Sequence, residues 1–249
     1  MAILELSALR KAFGGLVATD DVTVSIAPNA IHGLIGPNGA GKTTLFSLIT
    51  GFYRADSGAV RFEGADVSGL STSARARQGL VRTFQSNLLF SDQTALKNVA
   101  SGALISRPRH AFDWLYERKA DRAEANAAAR RILDFCHLSD KAEIAARDLS
   151  HGQQRVLGIA VALAARPRLL LLDEPFTGMT AREKDDLVAM IQAIRARGTT
   201  IILVEHDMRA VMRLCDRITV LNFGRVLAEG TPEQVRRHPD VMAAYLGTA

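Results

Sequence analysis

Eight residues, Gly36-Pro37-Asn38-Gly39-Ala40-Gly41-Lys42-Thr43, constrain this chain more than any other stretch. They follow the apolar segment Ile31 to Ile35 and lead into Thr44-Leu45-Phe46-Ser47-Leu48-Ile49, so a strand is expected to turn into a helix here. A loop of this spacing in that context is a phosphate-binding loop. Glycines at 36, 39 and 41 let the backbone turn tightly and aim N–H groups inward at a helix N-terminus, which holds phosphate oxygens. Gly36, Pro37, Asn38, Gly39, Ala40, Gly41, Lys42, Thr43 and Thr44 then border a nucleotide. Lys42 is expected to reach the β- and γ-phosphates, and Thr43 to ligate Mg²⁺.

A chain of 249 residues, 48% hydrophobic and 23% charged, has room for one large domain or two small ones with a shared core. Its net charge of +5 invites a nucleic-acid reading, but the Lys and Arg are scattered among 26 acids without an aromatic-interleaved basic stripe, so no nucleic-acid partner is expected. The start, Met1-Ala2-Ile3-Leu4-Glu5-Leu6, lacks the basic region of a signal peptide. The longest apolar run, Val156 to Ala165, falls short of the roughly 20 residues that span a bilayer. Membrane association is therefore expected only through a partner. Cys136 and Cys215 match no metal or redox spacing and read as structural residues of a reducing compartment.

Taken in order, residues 3 to 9 and 22 to 27 alternate apolar and polar, as half-buried antiparallel strands do. Between them an exposed loop carries Phe13, which either stacks on adenine or is a core phenylalanine. A strand over 59 to 62 and a Gly-Ala-Asp turn at 64 to 66 complete a small antiparallel layer, and Ser71 or Ser73 caps the helix that follows. Leu80 to Gln85 reads as a strand ending in an amide. From Thr94 to about Lys141 the pattern is helical, with an apolar stripe at Ile132, Leu133, Phe135 and Cys136. Phe112, Trp114 and Tyr116, among Arg107, Arg109 and Arg118, are either core or a patch that docks a partner helix.

Leu149-Ser150-His151-Gly152-Gln153 opens a helix from Gln154 to Ala165, with Ser150 as cap and a second anion-binding N-terminus. Arg168 to Leu172 reads as a buried parallel strand followed by two carboxylates, Asp173 and Glu174, at the carboxyl end of a sheet, where ligands of open α/β sheets lie. Asp173 is expected to hold Mg²⁺ and Glu174 to orient the attacking water. A helix over 182 to 197 and a strand over 199 to 204 precede His206, which is either structural or, beside a triphosphate, a donor to the γ-phosphate. Strands at 217 to 221 and 225 to 228 form a hairpin through Asn222-Phe223-Gly224, and Thr231-Pro232-Glu233 starts a helix.

With these parts in place the chain resembles the ATP-binding cassette (ABC) ATPases along essentially its whole length. Gly36 to Thr43 matches Walker A, Gln85 the Q-loop, Leu149 to Gln153 the signature motif, Leu169 to Glu174 Walker B with its glutamate, and His206 the switch histidine. Phe13-Gly14-Gly15-Leu16, Thr83-Phe84-Gln85, Gly152-Gln153-Gln154-Arg155, Glu205-His206-Asp207-Met208 and Ala244-Tyr245-Leu246-Gly247 look like the ATPase subunits of branched-chain (hydrophobic) amino acid importers. Related importers carry urea, short amides or aromatic acids. Two positions depart from the family pattern: His151 replaces the first signature glycine, and Thr180 stands where aspartate is common.

The resemblance implies an α/β fold, a P-loop NTPase ABC cassette with a RecA-like parallel-sheet core, an N-terminal antiparallel β layer and a helical insertion. It implies one domain over 1–249: β layer and P-loop core over 1–93, the insertion over 94–148 running on into the signature helix, the Walker B and switch region over 166–230, and C-terminal helices over 231–249. ATP and Mg²⁺ are the implied cofactors, with Lys42, Gln85, Glu174 and His206 catalytic and Thr43, Gln85 and Asp173 at the metal. Phe13 lies at the base, and Ser150, Gly152 and Gln153 close on the ATP of a second ABC ATPase subunit. Two transmembrane permease subunits would hold the pair at the cytoplasmic face of the inner membrane, fed by a periplasmic substrate-binding protein.

Overall fold

The structure is a computed structural model and describes residues 1–83, 89–103 and 119–246. Two sheets share the work. The smaller contains β1 (Leu4–Phe13), β2 (Leu16–Ile26), β4 (Ser57–Phe62) and β5 (Ala65–Asp66), all antiparallel, in the order β2-β1-β4-β5. The larger has the order β10-β9-β3-β8-β7-β6, built from β3 (Ile31–Ile35), β6 (Leu80–Arg82), β7 (Leu169–Asp173), β8 (Thr200–Val204), β9 (Arg217–Asn222) and β10 (Arg225–Gly230). Its pairs are parallel except for the β9–β10 hairpin.

Side chains of β7 alternate between two cores, as a strand buried on both faces requires. Leu169 and Leu171 join β1, β2, β4 and helix α1 (Lys42–Thr50) in one apolar cluster. Leu170 and Leu172 join the other, with α3 (Ala95–Gly102), α4 (Lys119–Phe135), α5 (His151–Ala164) and α6 (Ala181–Ala196). The P-loop strand therefore lies between an antiparallel layer and a helical layer. The remaining helices are α2 (Thr72–Arg77), α7 (Met208–Leu214), α8 (Pro232–Arg236) and α9 (Pro239–Leu246).

Most elements lie within a few residues of where the sequence puts them, and the differences have local causes. The first two strands are longer than expected and run almost to the Gly14-Gly15 turn, because shifts of register after Leu6 and Leu9 break the simple alternation without ending the pairing. The turn after β4 is Glu63-Gly64, and Ala65 and Asp66, expected in the turn, instead pair with Phe62 and Arg61. Asn222, expected in the hairpin turn, ends β9, leaving Phe223 and Gly224, both at positive φ, as a two-residue loop. Of the two serines proposed as caps for α2, Ser71 accepts from the Ala74 amide. Leu133 and Cys136 are buried and Ile132 and Phe135 pack against the same cluster, as the apolar stripe predicts. The aromatic trio at 112, 114 and 116 and its arginines lie outside the described residues.

Burial pushes both thiols, Cys136 and Cys215, up to about 12, so neither is poised for redox or metal chemistry. Among the described residues no helix is long and apolar enough to cross a membrane.

Candidate active site

The phosphate loop is shaped from outside itself. A Cβ on Gly36 would fall 2.2 Å from the Leu221 carbonyl oxygen, and one on Gly41 2.3 Å from that of Ala18, so no larger residue fits at either position. Gly41, with φ 99°, is the N-cap of α1. The β9–β10 turn closes the loop's flank: Gly224 N–H donates to Ala40 O at 3.0 Å, and Asp20 N–H to Gly224 O at 2.8 Å. Asn38 and Gly39 are exposed at the mouth. Lys42 is buried and donates to Gly36 O and Pro37 O at 2.7 and 2.9 Å, curled back over the loop. Burial lowers its pKa, and the charges of Glu174 and Asp173 oppose that shift, which places both carboxylates in its field.

Those carboxylates arrive from β7. Asp173 ends the strand, 4% exposed, and its Oδ2 accepts from Arg82 Nη2 at 2.7 Å. Arg82, at the end of β6, also reaches Ser47 Oγ on α1 at 3.3 Å and lies 5.5 Å from the centre of the Phe46 ring. Glu174 leaves the sheet at φ 46°, where its N–H donates to Val204 O. Its Oε1 lies 3.1 Å from Nε2 of His206, which follows β8, and Thr177 Oγ1 is 3.5 Å from Oε2. Glu205 sets this geometry from below. Buried to 3% exposure, it accepts from the Phe176 N–H through Oε1 and from the His206 and Asp207 N–H groups through Oε2. Burial raises its pKa against those three donors. Asp207 in turn caps α7.

Beside α1 opens a cleft of about 420 Å³ lined by Phe13, Thr43, Thr44, Ser47, Phe52, Tyr53 and Arg82. Phe13 ends β1 instead of riding a loop, and at 41% exposure it is not core. Its ring meets Tyr53 edge-on with centroids 5.1 Å apart, and Tyr53 meets Phe52 at the same distance.

The second expected anion site is built as a capping box. Ser150 Oγ accepts from Gln153 N–H at 3.2 Å while Gln153 Oε1 accepts from Ser150 N–H at 3.0 Å. The helix thus starts at His151, three residues earlier than the sequence pattern indicates, and His151 is exposed and outside the box. A Cβ on Gly152 would fall 2.5 Å from Glu183 Oε1. The other oxygen of Glu183 accepts from the N–H and Oγ1 of Thr180, the N-cap of α6, both at 2.8 Å. Thr180 is therefore a helix cap tied through one carboxylate to the start of α5.

The chain brings Lys42, Asp173, Glu174 and His206 together, and places Phe13 with Thr43 and Thr44. Ser150, Gly152 and Gln153 sit on a helix packed against α3 and α4, whereas α1 packs against β2, α2 and β6. Among the described residues no hydrogen bond or ion pair joins the two loops. Gln85 lies outside the described residues. Arg82, Glu205, Phe52 and Tyr53 were not singled out from sequence; an acid directly after the apolar run Ile201–Val204 was the one local hint. The donor set fits a hard cation: a hydroxyl at Thr43 and one buried carboxylate at Asp173, with further oxygens left to substrate and water, suit Mg²⁺ better than a metal that needs an all-protein cage.

The family model described as ABC transporter matches residues 19–177, and one described as branched-chain amino acid ATP-binding cassette transporter matches residues 225–249. The chain is 43% identical to the high-affinity branched-chain amino acid transport ATP-binding protein BraF of Pseudomonas aeruginosa, over 99% of this chain and 98% of that protein. It is 40% identical to LivG of Escherichia coli, of the same description, again over 99% and 98%. Among solved structures it superposes on a nucleotide-free ATP-binding cassette from an ABC transporter with a TM-score of 0.88 at 31% identity, covering 99% of this chain and 100% of that one. An ADP-bound cassette gives 0.87 at 32% identity, covering 99% of each.

Proposed function

Since the chain belongs to the ABC transporter ATP-binding family, we propose that it is the ATP-hydrolysing subunit of an importer for branched-chain or other hydrophobic amino acids. The observation that carries the chemistry is the contact of Glu174 with His206 at the mouth of a phosphate loop whose lysine lies in the field of Glu174 and Asp173. Full-length identity to BraF and LivG supports the cargo class.

In this reading Gly36 to Thr44 cradle the triphosphate with backbone N–H groups, and Lys42 turns from the Gly36 and Pro37 carbonyls to the β- and γ-phosphates. Phe13, with Tyr53 braced against it, stacks on the base. Thr43, Asp173 and Gln85 would hold Mg²⁺, which when bound neutralises charge on the phosphate oxygens. Glu174 orients the attacking water and accepts its proton, while His206 positions Glu174 and donates to the γ-phosphate.

Because Ser150, Gly152 and Gln153 make no bond to their own phosphate loop, their helix N-terminus serves the nucleotide of a second cassette, whose release follows loss of the γ-phosphate. One cassette per chain, with β layer and P-loop core over 1–93, insertion over 94–148, Walker B and switch region over 166–230 and C-terminal helices over 231–249, then docks through its insertion on two permease subunits. That places the protein at the cytoplasmic face of the membrane, downstream of a periplasmic binding protein.

Light scattering of the Glu174→Gln chain after size exclusion tests the shared site. Mg-ATP is expected to convert monomer to dimer and chelator to reverse it. A monomer with bound ATP would overturn self-pairing and leave pairing with a different cassette as the form to be tested. Uptake of labelled leucine, isoleucine and valine by cells lacking the chain tests the cargo: unchanged uptake overturns it.

A further inference from the structure

Arg82 and Asp173 form an ion pair whose side chains are only 9% and 5% exposed. A carboxylate so withdrawn from water needs a counter-charge, and in this fold the chain itself supplies one. Arg82 is well anchored for the task. Its guanidinium bonds Asp173 on β7 at 2.7 Å and Ser47 on α1 at 3.3 Å, and it packs near Phe46, which is fully buried. All three contacts lie on the elements that carry the phosphate loop and its acids.

Asp173 is also the carboxylate that the proposed function assigns to a divalent cation, and the present inference rests on that assignment. A guanidinium and a divalent cation drawn to one buried carboxylate repel each other strongly, because little water lies between them to screen the charges. We propose that Arg82 is a built-in counter-ion that competes with the divalent cation for Asp173, holding the carboxylate while no cation is bound and yielding it when one arrives.

The cation must displace a formed ion pair, so Arg82 weakens cation binding below what Asp173 alone would give. Arg82 is thus a positioning residue that acts through Asp173.

The test compares ATP affinity in chelator with affinity in Mg²⁺, by fluorescence of a bound ATP analogue, in a Glu174→Gln background that blocks turnover. The quantity read is the factor by which Mg²⁺ tightens binding, a coupling that a purely structural role would not raise. In Arg82→Met this factor is expected to grow by about tenfold or more, while Arg82→Lys, which keeps the charge, stays near the parent value. If Arg82→Met fails to fold, Arg82→Gln serves as the second uncharged variant, and Arg82→Met with Asp173→Asn removes both charges together. In the Asp173→Asn background, losing Arg82 is expected to leave the factor unchanged. An equal or smaller factor in the uncharged variants overturns the proposal with the metal role of Asp173 intact. A parent chain that binds ATP with no gain from Mg²⁺ overturns the Asp173 assignment itself.

Discussion

Nε2 of His206 lies 3.1 Å from Oε1 of Glu174, a contact between two residues that each follow a strand of the central sheet. The strands are neighbours, and their register pairs Asp173 with Val204, so the segments that leave them emerge side by side. Glu205, bonded to N–H groups of both segments, fixes the separation.

Glu174→Gln is expected to bind ATP as the parent does and to lower hydrolysis to about 1% or less, because an amide cannot accept the proton of water. His206→Ala removes the nitrogen that holds Glu174 and is expected to lower turnover with little change in nucleotide affinity. Phosphate release together with equilibrium ATP binding measures both. Turnover above a few per cent in the glutamine variant counts against Glu174 as the base.

Lys42→Ala is expected to weaken ATP binding by about 1.5–3 kcal/mol, roughly ten- to a hundredfold in affinity, the range of a hydrogen bond to a charged partner. Titration with a fluorescent nucleotide reads it directly. Unchanged affinity would remove Lys42 from the phosphate site.

His32, 2% exposed in β3 with Nε2 2.8 Å from Thr219 Oγ1, has its pKa lowered from 6.5 to about 4, first by burial and then by the charge of Arg217. A folded-state value below the unfolded one means that the unfolded chain binds the proton more readily. This contribution is complete above 6.5 and is lost as pH falls from there toward about 4. The loss amounts to about 3 kcal/mol. Urea unfolding of the parent and of His32→Gln over this acid range measures it, and the glutamine variant is expected to lose less. Equal losses would assign the acid sensitivity elsewhere.

Gly152→Ala brings a methyl to 2.5 Å from Glu183 Oε1, the free end of a flexible side chain, so the carboxylate is expected to swing aside and loosen its bonds to Thr180, a loss of no more than about 1 kcal/mol that Glu183→Ala in the same chain removes. Thr180→Ala, which removes the cap of α6, costs about 1 kcal/mol. Thermal unfolding of the single and double variants resolves the coupling. Additive losses at 152 and 183 would show that the two residues do not meet.

What could be read from the sequence was local. The phosphate loop declares itself because its glycines, lysine and threonine act within a few residues of one another, and the caps Ser150 and Thr231 because a capping box spans one turn. Asp173 and Glu174 were legible because a run of four leucines ends at them. Arg82 was not, since its partner stands 91 residues away and nothing in Leu80-Val81-Arg82 distinguishes an arginine facing a buried acid from one facing water. Glu205 was passed over for a related reason: its acceptors' partners are backbone amides, which leave no mark in sequence. Thr180 looked like a departure from a pattern, and only the geometry reveals a cap whose partner, Glu183, also touches the start of α5. Phe13 was misplaced because register shifts in β1 hide the strand that carries it.

In the central sheet β3 has β8 and β9 for neighbours, so the strand that feeds the phosphate loop stands between segments made about 170 and about 185 residues after it. The carbonyl that lies against Gly36 and the amide that grips Ala40 belong to Leu221 and Gly224. During synthesis the ribosome therefore releases a complete nucleotide-binding motif long before the residues that brace it. Those contacts arrive with the last tenth or so of the chain, so prematurely terminated products carry the motif without the packing that shapes it.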